Sequence, residues 1–74
     1  MVAVEDVEAR LRDAFPDAQL VVEDTTGDGD HFDVQIQAAA FAGVALVAQH
    51  RMVYAALGDL MPRIHALSLR TASA

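Results

Sequence analysis

The segment His31-Phe32-Asp33-Val34-Gln35-Ile36-Gln37-Ala38 decides the fold. Phe32, Val34, Ile36 and Ala38 fall on one side of it and His31, Asp33, Gln35 and Gln37 on the other, without a break in the alternation. A period of two places successive side chains on opposite sides of a pleated strand, so a β-strand with one buried and one wet face is predicted. Upstream, Gln19-Leu20-Val21-Val22-Glu23 is short, β-branched and bounded by polar residues, which predicts a partner strand. Between them, Asp24 to Asp30 contains Gly27 and Gly29 and reads as the hairpin connection.

Helical spacing flanks this pair. Val4, Val7, Leu11 and Phe15 recur at steps of three and four with charged residues between them, and Glu8 and Arg12 stand at i,i+4. Pro16 ends that helix. Downstream, Phe41-Ala42-Gly43 breaks the strand, and Val44 to Leu57 is predicted as a second helix whose face runs through Val47, His50, Tyr54 and Leu57. Gly58 suits its C-cap, Asp59 is expected to N-cap a short turn through Leu60 and Met61, and Pro62 closes that turn before a last strand, Ile64 to Thr71. The order is helix, strand, strand, helix, short helix, strand: an α+β layer with the helices on one face of a three-stranded sheet.

With 74 residues the chain is expected to form a single domain, residues 1–74, with one small core. Such a domain buries only about 60 to 65% of its unfolded surface. Hydrophobic residues make up 54% but aromatics only 5%, so Val, Leu, Ile and Ala must fill the core around Phe15, Phe32, Phe41 and Tyr54. Cysteine is absent, which excludes a disulfide framework and any thiolate cluster built by this chain alone. No leader-like segment or long apolar run is present, and a soluble, cytoplasmic protein is expected.

The net charge of −6 is unevenly shared. Residues 1 to 40 carry ten acids against Arg10 and Arg12, a balance of −8, while residues 41 to 74 carry Arg51, Arg63 and Arg70 against Asp59, a balance of +2. Acids crowd the glycine-bearing loop as Glu23, Asp24, Asp28, Asp30 and Asp33, and that field repels a phosphate backbone. Nucleic-acid binding is therefore disfavoured.

Imidazole titrates near neutral pH and binds borderline metals without a thiol, so His31, His50 and His65 are the places to seek chemistry. Each has a bland alternative. By pleat parity His65 shares a face with Leu67 and Leu69 and fits a partly buried, satisfied histidine. His31 ends the loop on the polar side of its strand and fits a solvated residue. His50 lies on the Val47 to Tyr54 face of the second helix and fits a packing or orienting group. The acidic loop lacks the Asp-x-Asp-Gly order and distal glutamate of a calcium loop, and Gly27-x-Gly29 lacks the third glycine of a dinucleotide loop. No serine or cysteine nucleophile stands beside a base in a catalytic pattern, so enzymatic activity is not expected.

Four pieces of the chain, taken together and in order, resemble the BolA family and its shorter IbaG-like bacterial branch: Gly27-Asp28-Gly29-Asp30-His31-Phe32, Phe41-x-Gly43, His50-Arg51-x-Val53-Tyr54-x-x-Leu57, and Ile64-His65-Ala66-Leu67-Ser68 ahead of Thr71. The resemblance implies a class II KH-like topology. It further implies a partner of a monothiol glutaredoxin bearing a Cys-Gly-Phe-Ser motif, in a heterodimer that holds a bridging [2Fe-2S] cluster with glutathione and serves iron homeostasis. By position His65 is the implied cluster ligand. His31 is the loop candidate for the second, since Asp28 stands where some relatives place cysteine. Arg51 and Tyr54, with His50 beside them, are expected at the docking surface between the second helix and the last strand. A weak homodimer of the free chain is compatible with this reading, as is the alternative function, a KH-like transcriptional regulator acting through the helix-turn-helix portion. Two imidazoles can replace two thiolates on one iron, and protonation competes with metal for their nitrogens, so such a cluster would be acid-labile.

Overall fold

The computed structural model describes all residues, Met1–Ala74. Helix α1 spans Val4–Ala14, strand β1 Gln19–Asp24, strand β2 His31–Ala38, helix α2 Leu46–Leu57 and strand β3 Ala66–Ser73. Short 3-10 turns occupy Ala39–Phe41 and Gly58–Arg63. The sheet order is β1-β2-β3. Strands β1 and β2 form the antiparallel hairpin, with Val22 opposite Val34, whereas β3 runs parallel to β2, with Leu69 beside Val34. A parallel neighbour cannot be reached by a tight turn, which is why the whole α2 segment lies between β2 and β3.

The alternation in β2 is realised residue for residue: Phe32, Val34, Ile36 and Ala38 are buried and the intervening positions are not. They meet Val7 and Leu11 from α1, Phe15 directly after it, and Val53 and Leu57 from α2 in a core of 14 apolar residues. The Phe15 and Phe41 rings contribute a tilted pair with centroids 5.2 Å apart. On the uncovered face of the sheet, Asp33 lies opposite Glu23, and its Oδ1 is the one buried side-chain polar atom without a hydrogen-bond partner.

Several local expectations are corrected. The inner stripe of α2 is Val53 and Leu57, with Gln49 half-buried one turn earlier, while Val47 and Tyr54 face outward, so Tyr54 is not a core residue. Gln49 fixes this orientation: its Nε2 donates to Val44 O at 2.7 Å and its Oε1 accepts the Thr71 hydroxyl at 2.6 Å, tying α2 to β3. Glu8 and Arg12 form no ion pair; Arg10 instead reaches across to Asp59 Oδ1 at 2.7 Å and to Leu57 O at 3.0 Å. Asp59 is thereby used as a salt-bridge partner and caps nothing, Leu57 being the residue before the 3-10 turn. Gly58 does end α2, at φ 53°, a left-handed value that favours glycine. Strand β3 starts two residues later than expected: the parallel pairing begins at Ala66, beside His31, and His65 precedes it with its amide donated to Asp30 O.

Candidate histidine pair at the end of the sheet

The loop between β1 and β2 is folded by its own carboxylates. Asp24 accepts the Gly27 amide through Oδ1 and the Gly29 amide through Oδ2, each at 2.9 Å, so its acceptors are committed to the turn. Gly29 is packed under the N-terminus, where a Cβ would stand 2.6 Å from the Met1 side chain and 2.9 Å from Val2 O. With its backbone held in this way, the loop places Thr26 and Asp28 beside the ring of His31, the first residue of β2.

His65 arrives from the other direction. Its amide donates to Asp30 O at 2.8 Å, which docks the entrance of β3 against the residue before His31. Two histidines far apart in sequence therefore meet, with ring centroids 5.1 Å apart and planes inclined at 54°. His65 is exposed, not partly buried as parity with Leu67 implied, because it precedes the strand and is not bound by its pleat. The His31 side chain is 37% exposed.

The polar surroundings of His31 are specific. Thr26 Oγ1 lies 2.5 Å from Asp28 Oδ1 and 3.3 Å from His31 Nδ1, and Asp28 Oδ1 is 3.6 Å from that same nitrogen. The Thr26 hydroxyl above all, then the Asp30 amide, hold the Asp28 carboxyl below its ordinary range. Thr26 carries no histidine-like signal in the sequence; only its place two residues before Asp28, in a loop of Asx and Thr turns, hints at a role.

Two adjacent imidazoles offer two nitrogen donors, the number that can serve one iron of a two-iron cluster. No group of three or more His, Cys, Asp or Glu side chains is arranged to hold a metal ion. With only two nitrogen donors at this corner, an ion bound here would need its further ligands from outside the pair. The donor set thus fits a shared cluster better than a self-contained metal centre.

His50 belongs to a different cluster, on the outer side of α2, edge-on to Tyr54 with centroids 6.4 Å apart. Beside them Arg51 is exposed, and Leu46 and Val47 are exposed at 59% and 63%. Those two aliphatics were not expected at the surface. Being adjacent, Leu46 and Val47 stand about 100° apart around the helix axis, which widens the outer patch.

A family model described as BolA-like protein matches residues 11–74. The Arabidopsis thaliana protein BOLA2 is 42% identical over 73 residues, an alignment covering 97% of this chain and 78% of that protein. A Vibrio cholerae protein named DNA-binding transcriptional regulator BolA is 36% identical, with 88% of this chain and 69% of that protein covered. Among solved structures, a bol-like protein from Babesia bovis superposes with a TM-score of 0.89 at 32% identity, covering 99% of this chain and 86% of that one.

Proposed function

The chain belongs to the BolA-like protein family, and from that premise we propose that it is a binding module for a monothiol glutaredoxin, completing a shared [2Fe-2S] cluster with His65 and His31. The single observation that carries this reading is the 5.1 Å approach of those two rings at an accessible corner of the sheet. The cluster is cargo held between two proteins: sulfur ligands come from the glutaredoxin cysteine and glutathione, and nitrogen ligands from this chain. The outer face of α2, with Arg51, Tyr54 and His50, supplies the docking surface, and its exposed Leu46 and Val47 give that surface an apolar centre. No enzymatic step is assigned to the chain.

Mixing the purified chain with a cluster-loaded monothiol glutaredoxin tests this reading. A change in visible absorption and circular dichroism is expected, abolished by His65→Ala and weakened by His31→Ala. An unchanged spectrum with the native chain removes the proposal.

A second reading, DNA binding, is favoured by the name of the Vibrio cholerae relative and by Arg51 exposed on α2. Against it stand the apolar neighbours of Arg51 and the −8 balance of the first forty residues. Tight, salt-sensitive binding in a low-salt gel-shift titration would reverse the order of the two readings.

A further inference from the structure

The hydrogen-bond geometry around His31 determines which of its nitrogens carries the proton. A threonine hydroxyl has one hydrogen and an ionised carboxylate has none. At 2.5 Å, the hydrogen between Thr26 Oγ1 and Asp28 Oδ1 therefore belongs to Thr26 and is donated to Asp28. Asp28 is held in place for this by the Asp30 amide, 3.0 Å from the same Oδ1. With its only hydrogen committed, Thr26 Oγ1 can act toward His31 Nδ1, 3.3 Å away, only as an acceptor. The nitrogen facing it must then bear hydrogen. Asp28 Oδ1, 3.6 Å from that nitrogen, adds its attraction for the same N–H.

We propose that Thr26 and Asp28 are positioning residues that hold neutral His31 in the tautomer protonated on Nδ1, leaving Nε2 with the lone pair as the ring's donor atom. The inference rests on the reading of His31 as a ligand, and it names how that ligand is prepared. A histidine that binds metal through one nitrogen commonly donates its other N–H to an oxygen acceptor, which fixes both tautomer and ring orientation. Here the acceptor is the threonine hydroxyl, and the carboxylate works through it by taking up the hydroxyl's hydrogen. His65 has no comparable acceptor at either ring nitrogen, so the two rings are not equivalent.

The test uses the free 74-residue chain, labelled with 15N, without metal or partner, at alkaline pH well above the ordinary imidazole range. Long-range 1H–15N correlation spectra distinguish protonated from unprotonated ring nitrogens, and loss of one signal set in His31→Ala assigns the ring. The native chain is expected to show His31 protonated on Nδ1. Thr26→Val should shift the population toward Nε2–H, and Thr26→Ser should restore the native pattern. A native His31 protonated on Nε2, or a Thr26→Val pattern identical to the native one, overturns the proposal. Should Thr26→Val fail to fold, the native spectrum decides alone. Because nothing is bound in this experiment, its failure is distinguishable from failure of cluster binding. In the glutaredoxin mixture, Thr26→Val should weaken cluster retention about 10- to 100-fold, the usual range for losing such an outer hydrogen bond.

Discussion

The inner row of β2 and the loop that leads into it are neighbours in sequence with opposite physical characters. Phe32, Val34, Ile36 and Ala38 are buried and make only apolar contacts through their side chains. Thr26, Asp28 and His31 keep solvent access and are ordered by hydrogen bonds among themselves. His65 joins this polar corner through a backbone bond to Asp30, with its ring against that of His31. The difference teaches that the residues which stabilise the fold and those which bind at its corner are separate sets, so mutation should separate them.

The widest separation is expected at the junction itself. Phe32→Ala removes a side chain that is 2% exposed and should cost about 3–5 kcal/mol in urea unfolding, a large part of a small protein's stability. A loss near zero would break the distinction. Gln49→Ala strips partners from Thr71 and Val44 and should cost about 1–3 kcal/mol, measured in the same way. Asp33→Asn acts in the other direction: removing a like charge opposite Glu23 should add on the order of 0.2–1 kcal/mol. At the corner, His65→Ala and His31→Ala should leave unfolding free energy within about 0.5 kcal/mol of the native value. If either imidazole instead proves a major source of stability, the corner belongs to the core after all.

Acid unfolding gives the smallest effect. Arg10, by hydrogen bond and charge, holds the Asp59 carboxyl below its ordinary value of 3.8, and Thr26 does the same for Asp28. Carboxyls lowered in the folded state contribute stability that is fully present above that ordinary value and is lost as pH falls through the folded one. Asp59→Asn should therefore flatten the stability profile below about pH 4 and leave its slope near neutrality unchanged. Circular dichroism across an acid titration checks both halves.

The hairpin of β1 and β2 was legible because β2 alternates strictly and the connecting loop carries glycines. The face of α2 was not, for a reason visible in its residues. Leu46, Val47, Ala48, Met52, Val53, Ala55, Ala56 and Leu57 spread apolar character around the whole helix, so periodicity alone leaves its rotation undetermined. Gln49, a polar residue, turns the helix inward through hydrogen bonds that no hydropathy pattern reveals. The long-range Arg10–Asp59 contact was similarly invisible, since a nearer i,i+4 partner for an arginine was on offer in α1. His65 and His31 were singled out by resemblance, but their meeting depends on β3 lying parallel to β2, which the element order left unspecified. The place of Thr26 between Asp28 and His31 depends on how the loop folds, which no residue pattern encodes.

The most direct test of imidazole ligation is pulsed electron paramagnetic resonance on the reduced complex of a cluster-loaded monothiol glutaredoxin with this chain labelled with 15N in its histidines alone. Strong 15N hyperfine coupling to the cluster, lost in His65→Ala and reduced in His31→Ala, is the predicted result. A complex that forms with its cluster intact yet shows only weak, distant 15N couplings would contradict ligation by this pair.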